Sequence, residues 1–217
     1  MESVMNGEIT IGQPKYNNPG TIWNRMAATG FITALLLVSV LGAVTNAQSV
    51  HLNIGDPAPE FEAVTDDGST WNSSEYIGEQ TLVVFFFPAA MTGGCTDQAC
   101  SFRDNRTQLT EMGAEVVGIS GDPAENLALF KRANNLNYPL LSDADGSIAG
   151  KFGVPTGDGG SITIEVDGEQ HELSRELTTA RWTFIINEEG AIAYVDSEVN
   201  ASGDGEAVIA AIREMTQ

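Results

Sequence analysis

The segment Thr81-Leu-Val-Val-Phe-Phe-Phe-Pro-Ala-Ala-Met-Thr-Gly-Gly-Cys95 decides how this chain folds. Residues 81–87 form an unbroken β-branched and aromatic run, the pattern of a strand buried on both faces. Pro88 ends that strand, because it has no N–H to give to a ladder. Residues 89–94 then read as a loop. Residues 95–112 carry helical periodicity, with Phe102, Leu109 and Met112 on or near one face and Gly113 as a stop. Cys95 therefore falls in the first turn of a helix that follows directly on a buried strand. Unpaired N–H groups and the positive end of the helix dipole face its sulfur there, which favours the nucleophilic thiolate. Thr92 stands three residues earlier, where its hydroxyl can donate to the thiolate or to a bound oxygen. Gly93 and Gly94 keep side chains away from the backbone donors.

Away from this segment the chain alternates strand and helix signals. Asp66-Asp-Gly-Ser69 is a turn between two short extended stretches. Residues 116–120 are a second strand, Asp122-Pro123 opens a helix that continues through 126 to 134 with the proline at an early position, and 138–142 are a third strand. A turn and a short helix cover 143–152. Residues 162–166 and 170–172, joined at Asp167-Gly168, read as a hairpin with a type I′ turn. A second hairpin runs through 183–187 and 191–195, and residues 206–215 are an amphipathic closing helix. This order predicts an α/β protein with a thioredoxin-like fold, a mixed central sheet flanked by helices, over residues 55–217.

The two cysteines, Cys95 and Cys100, carry separate information in their spacing. On a regular helix an i, i+5 pair is rotated about 140° apart and its Cα atoms lie roughly 8.7 Å from each other. A disulfide needs less than about 7 Å. A bond between them requires the first turns of the helix to unwind, which suits a redox cycle better than a static cross-link.

Pro88-x-x-x-Thr92-x-x-Cys95 resembles the active-site signature of the peroxiredoxins. The stretch Met91-Thr-Gly-Gly-Cys95-Thr-Asp-Gln-Ala-Cys100-Ser-Phe-Arg-Asp104 is similar to their bacterioferritin comigratory protein, or peroxiredoxin Q, branch. The resemblance covers about residues 55–217 and implies a thiol-dependent peroxidase that reduces hydrogen peroxide and organic hydroperoxides. It implies a peroxidatic Cys95, a resolving Cys100, and recycling of their disulfide by a thioredoxin-like dithiol protein. Thr92, Pro88 and Arg181 inherit supporting roles, Arg181 through the similar segment Arg181-Trp-Thr-Phe-Ile-Ile-Asn187. The branch leans towards monomers and uses no cofactor or metal. Two departures stand out: Gln98 occupies a position where the branch commonly has Glu, and residues 155–178 are enlarged by the first hairpin. The competing reading is an envelope thioredoxin-like thiol-disulfide oxidoreductase. Such proteins use Cys-x-x-Cys with a facing cis-proline, whereas this chain has no proline after Pro155.

Composition narrows the partners. Acidic residues outnumber basic ones 30 to 10, for a net charge of −20. Glu2, Glu8, Lys15 and Arg25 cancel in the first 47 residues, so the charge belongs to the remainder, and it repels a nucleic-acid backbone. With only His51, His171 and two cysteines, no zinc-ligand spacing occurs. From Met26 to Gly55 there is no Asp, Glu, Lys or Arg, and residues 31–44 are apolar enough to enter a bilayer. Residues 1–25 are read as a leader, 26–47 as a signal-peptide core or a transmembrane anchor, and 48–54 as a linker. Either reading places the catalytic domain outside the cytoplasm, periplasmic or tethered to the membrane through 26–47.

Overall fold

The computed structural model describes residues 52–217, so the leader, the apolar segment 26–47 and most of the linker lie outside the described residues. The buried run becomes β3 (Thr81–Phe86), and its two faces divide the core between them. Val83, Phe85 and Phe87 point into a cluster with Phe102, Leu109, Leu127, Phe130, Val208 and Ile212. Leu82, Val84 and Phe86 point into a second cluster with Phe61, Trp71, Phe152, Phe184 and Ile186. Each such side chain taken out of water contributes about 1.5–3 kcal/mol. A strand with a full apolar face on either side must therefore sit in the middle of a three-layer structure.

The sheet has seven strands. β1 (Glu62–Thr65) and β2 (Thr70–Asn72) pair antiparallel at one edge. β3 is followed by α1 (Gly93–Glu111), β4 (Ala114–Ser120), α2 (Ala124–Asn134), β5 (Leu140–Ser142) and α3 (Ser147–Phe152). After β6 (Thr156–Val166) and β7 (Glu169–Thr179) come β8 (Trp182–Ile186), β9 (Ile192–Asp196) and α4 (Asp204–Met215). The strand order is β2-β1-β5-β4-β3-β8-β9, with β3, β4 and β5 parallel and the outer pairings antiparallel. α1, α2 and α4 cover one face and α3 the other. This is a mixed α/β thioredoxin-like fold.

Several boundaries move from their expected places. β5 starts at Leu140, not 138, because Pro139 cannot donate to the ladder. The helix that Asp122-Pro123 opens has Ala124 as its first residue, with Pro123 in the N-cap position just before it, and the Asp122 side chain turns into the core. α4 starts at Asp204, two residues before the expected 206. Leu52, placed in the linker, packs against the second cluster. The largest difference is the first hairpin. Its turn has the expected type I′ form, with Asp167 at φ 56° and Gly168 at φ 83°. Its strands, however, run 11 residues each instead of five and three. The run Thr156-Gly-Asp-Gly-Gly160 has no apolar alternation to mark it as a strand, and only its pairing with β7 holds it extended. The two form a separate two-stranded sheet, exposed along most of β6, with Leu173, Arg175 and Thr179 of β7 buried.

Candidate active site

The sulfur of Cys95 lies at the crossing of three elements. β3 delivers the chain to Pro88, and the loop that follows turns at Met91, whose φ of 66° is unusual for a side chain of that size. Asp122 anchors this loop by accepting from Ala90 N at 2.7 Å, and Met91 Sδ accepts from Asn134 Nδ2 at 3.7 Å. Thr92 caps α1 by position, with extended backbone angles and no side-chain cap bond. Cys95 is the third residue of the helix and 1% exposed. At this depth its sulfur is next to N–H groups that have no partner within the helix.

Arg181 reaches the same point from the opposite side. β8 pairs antiparallel with β3 in the register Phe86 to Trp182, so Arg181, one step further, lies beside the end of β3 and over the start of α1. Its Nη2 is 3.4 Å from Cys95 Sγ, and its Nη1 donates to Gln98 Oε1. A Cβ at Gly94 would sit 3.4 Å from that Nη2, so the missing side chain leaves the guanidinium its room.

The residues singled out from sequence thus converge in part. Pro88, Thr92, Cys95 and Arg181 share one corner of the fold, with Pro88 half-buried at the end of β3. Thr92 departs from its expected bond: its hydroxyl donates to Ala89 O at 2.9 Å and not to the Cys95 sulfur. A hydroxyl has one hydrogen, and here it closes the loop. Cys100 lies about one and a half turns along an unbroken α1 and is half-buried. Both cysteines are free thiols. Burial pushes the Cys100 thiol up, and the nearby Arg103 offsets this only in part.

Asp204, Arg175 and the buried role of Asp122 escaped the sequence reading, which noted Gln98 only as a departure from the branch. Gln98 is fully buried and bridges Arg181 to Asp204, which is 1% exposed. Arg175 and Asp122 form a buried ion pair at 2.8 Å behind the active-site loop. The missing Glu at 98 was a signal that a carboxylate would have to come from elsewhere, but nothing local pointed to Asp204, 106 residues away.

A buried cysteine at a helix start, in contact with a guanidinium on a thioredoxin-like sheet, defines the class as a thiol-based redox enzyme. The AhpC/TSA family profile matches residues 54–195. Peroxiredoxin Bcp of Escherichia coli K12 is 36% identical over 163 residues, 75% of this chain and 97% of its own length. The crystal structure of peroxidoxin BcpB from Mycobacterium tuberculosis superposes with a TM-score of 0.63 at 34% identity, covering 76% of this chain and all but 1% of that one (99%). Peroxiredoxin Q of Xanthomonas campestris, at 24% identity and TM-score 0.61 over 78% of this chain and 100% of its own, shares the fold. The chain belongs to the AhpC/TSA family of peroxiredoxins, in its bacterioferritin comigratory protein or peroxiredoxin Q branch. It is a thiol-dependent peroxidase; enzymes of this kind act on peroxides and are reduced by thioredoxin-like proteins.

Proposed function

We propose that Cys95 is the peroxidatic cysteine of a two-cysteine cycle and that Cys100 resolves it. The contact of Arg181 Nη2 with Cys95 Sγ at 3.4 Å, at the N-terminus of α1, carries this reading. The Cys95 thiolate attacks one oxygen of hydrogen peroxide or an organic hydroperoxide. The S–O bond forms as the O–O bond breaks, and the leaving oxygen departs as water or an alcohol after taking a proton. Arg181 and the free N–H groups at the start of α1 stabilise the charge that builds on that oxygen. Pro88, as the end of β3, restricts competing access to the sulfur. The product is a Cys95 sulfenic acid.

Cys100 then condenses with the sulfenic acid, forming the disulfide and releasing water. Since α1 holds the two cysteines roughly 8.7 Å apart, its first turns unwind for this step. The unwinding also returns Cys100 to solvent, removing the burial that pushes its thiol up. A thioredoxin-like dithiol protein reduces the disulfide by two exchange steps and becomes oxidised itself. The enzyme acts as a monomer outside the cytoplasm, delivered by residues 1–47 as a signal or tethered through 26–47.

In stopped-flow peroxide reduction, Cys95→Ser consumes no hydroperoxide. Cys100→Ser completes a single turnover and stalls at the sulfenic acid with a dithiol present. Unchanged turnover in Cys95→Ser would sink the reading, and undiminished cycling in Cys100→Ser would remove Cys100 from it.

A further inference from the structure

Arg181 meets Cys95 as one end of a longer chain of contacts. Gln98, whose Oε1 accepts from Arg181 Nη1, donates through Nε2 to Asp204 Oδ2 at 2.7 Å. Thr183 Oγ1 donates to the same oxygen at 2.8 Å. Asp204 Oδ1 is buried without a hydrogen-bond partner, so the hold on Gln98 passes through Oδ2. The start of α4 is seated firmly on α1: Gly205 N donates to Ser101 Oγ at 3.0 Å. A Cβ at Gly205 would come within 2.8 Å of Ser101 O. Asp204 therefore cannot withdraw from Gln98 without lifting the helix start away from α1.

A primary amide has an accepting end and a donating end, and half a rotation exchanges them. A guanidinium only donates. Gln98 supports Arg181 only with Oε1 turned towards it, and that orientation is secured by a group at the other end that can only accept. An ionised carboxylate is such a group. We propose that Asp204, as its carboxylate, is a positioning residue for peroxide reduction, holding the Arg181 guanidinium against the Cys95 sulfur through Gln98. This rests on the reading of Cys95 as the attacking thiolate and Arg181 as its cation.

The arrangement carries a pH dependence. Burial pushes the Asp204 carboxyl up to about 6, against the hydrogen bonds from Gln98 and Thr183 that lower it. Of the charged groups that face it, Arg181 before β8 favours the carboxylate and Asp196 of β9 opposes it. Burial raises Tyr138 and Tyr194, and the Asp204 charge adds to both. A proton on Asp204 reduces the charge-assisted bond to an ordinary one and supplies a hydrogen that Gln98 Oε1 can accept, which sets the amide donor against the guanidinium. The hold on Arg181 is present above this titration and is lost as pH falls through it.

The test measures the second-order rate constant of the single-turnover attack on hydrogen peroxide against pH, in the full-length chain, with Cys95 ionisation followed separately by thiolate ultraviolet absorbance. The wild-type protein shows a fall in rate near pH 6 beyond what thiolate loss accounts for. Asp204→Asn loses that inflection and is about tenfold slower at neutral pH, the weight of one hydrogen bond to a charged group. In an Arg181→Met background the Asn substitution has no further effect. Identical profiles in wild type and Asp204→Asn, or the same fractional loss with and without Arg181, would overturn the proposal while leaving Cys95 in its role. Peroxide consumption by Cys95→Ser is the separate result that defeats the underlying reading. Should Asp204→Asn fail to fold, Gln98→Met cuts the same link at its middle, and retention of the inflection there refutes the proposal.

Discussion

Asp122 does more than open a helix. It is fully buried, and its two oxygens are divided between tasks. Oδ2 accepts from Ala90 N in the active-site loop and from Ser120 Oγ at 2.6 Å; Oδ1 accepts from Arg175 Nε and from Asn126 Nδ2 at 3.1 Å. Arg175 is itself only 8% exposed and comes from the enlarged hairpin. Removing one member of such a pair strands the other charge in the interior, at a cost of about 3–5 kcal/mol, whereas removing both is far milder. Arg175→Met is expected to lose about that much stability in urea unfolding, and Arg175→Met combined with Asp122→Asn to recover part of it. A single variant within about 0.5 kcal/mol of wild type would show that the pair contributes nothing. The hairpin is thus tied to the loop beside Cys95 and is more than a surface insertion. Thr179 adds to this by donating to Phe87 O at 3.0 Å, immediately before Pro88.

At the scale of elements, α1 has two conflicting duties. In the proposed cycle it is folded to present Cys95 to Arg181 and opens for Cys100 to reach Cys95. The contacts that resist opening are specific: Tyr138 Oη donates to Ala99 O at 2.7 Å, and Phe102 stacks on Phe85 with ring centroids 4.5 Å apart. Gln98 and Ser101 are also held by the start of α4. Nothing comparable holds Gly93 and Gly94, both exposed and both poor helix formers. Opening in this cycle begins at the N-terminal turn and works against the Ala99 and Phe102 contacts, while the end of α1 anchored by Leu109 keeps its place. Amide hydrogen exchange across residues 95–103 should accelerate on oxidation to the disulfide while residues 105–111 stay protected. Identical exchange in the two redox states would mean that the helix does not open. Legibility differed among elements for a related reason. The strands of the central sheet and the helices carry apolar periodicity set by burial, so each could be read where it stands. β6 carries none, because its first residues are exposed and extended only by pairing with β7.

For the whole molecule, the charge of −20 and the N-terminal segment bear on where the enzyme works. Among the described residues no helix is long and apolar enough to cross a membrane; the proposed delivery through residues 26–47 concerns residues outside them. Fractionation of cells with mass spectrometry of the mature chain separates the alternatives. A cleaved signal leaves an N-terminus near Ala47 in an extracytoplasmic fraction, and an anchor leaves residues 26–47 intact in the membrane fraction. The intact chain recovered from the cytosol would refute both. The proposed monomer is tested by sedimentation: a species at twice the chain mass of 23.0 kDa would count against it.

Readable in the sequence alone were the buried strand, the helix that starts beside Cys95, the i, i+5 spacing that a disulfide bridges only if this helix opens, and the family. Each is written in consecutive residues, where periodicity, a proline or a fixed offset acts locally. Only the tertiary structure decided what surrounds the sulfur. The antiparallel register of β8 on β3 brings Arg181 to Cys95. The seating of α4 on α1 places Asp204 behind Gln98, and the docking of β7 places Arg175 behind Asp122. Those contacts join residues 86, 106 and 53 positions apart, and a carboxylate or guanidinium carries no mark in the sequence of the partner that burial will require it to find.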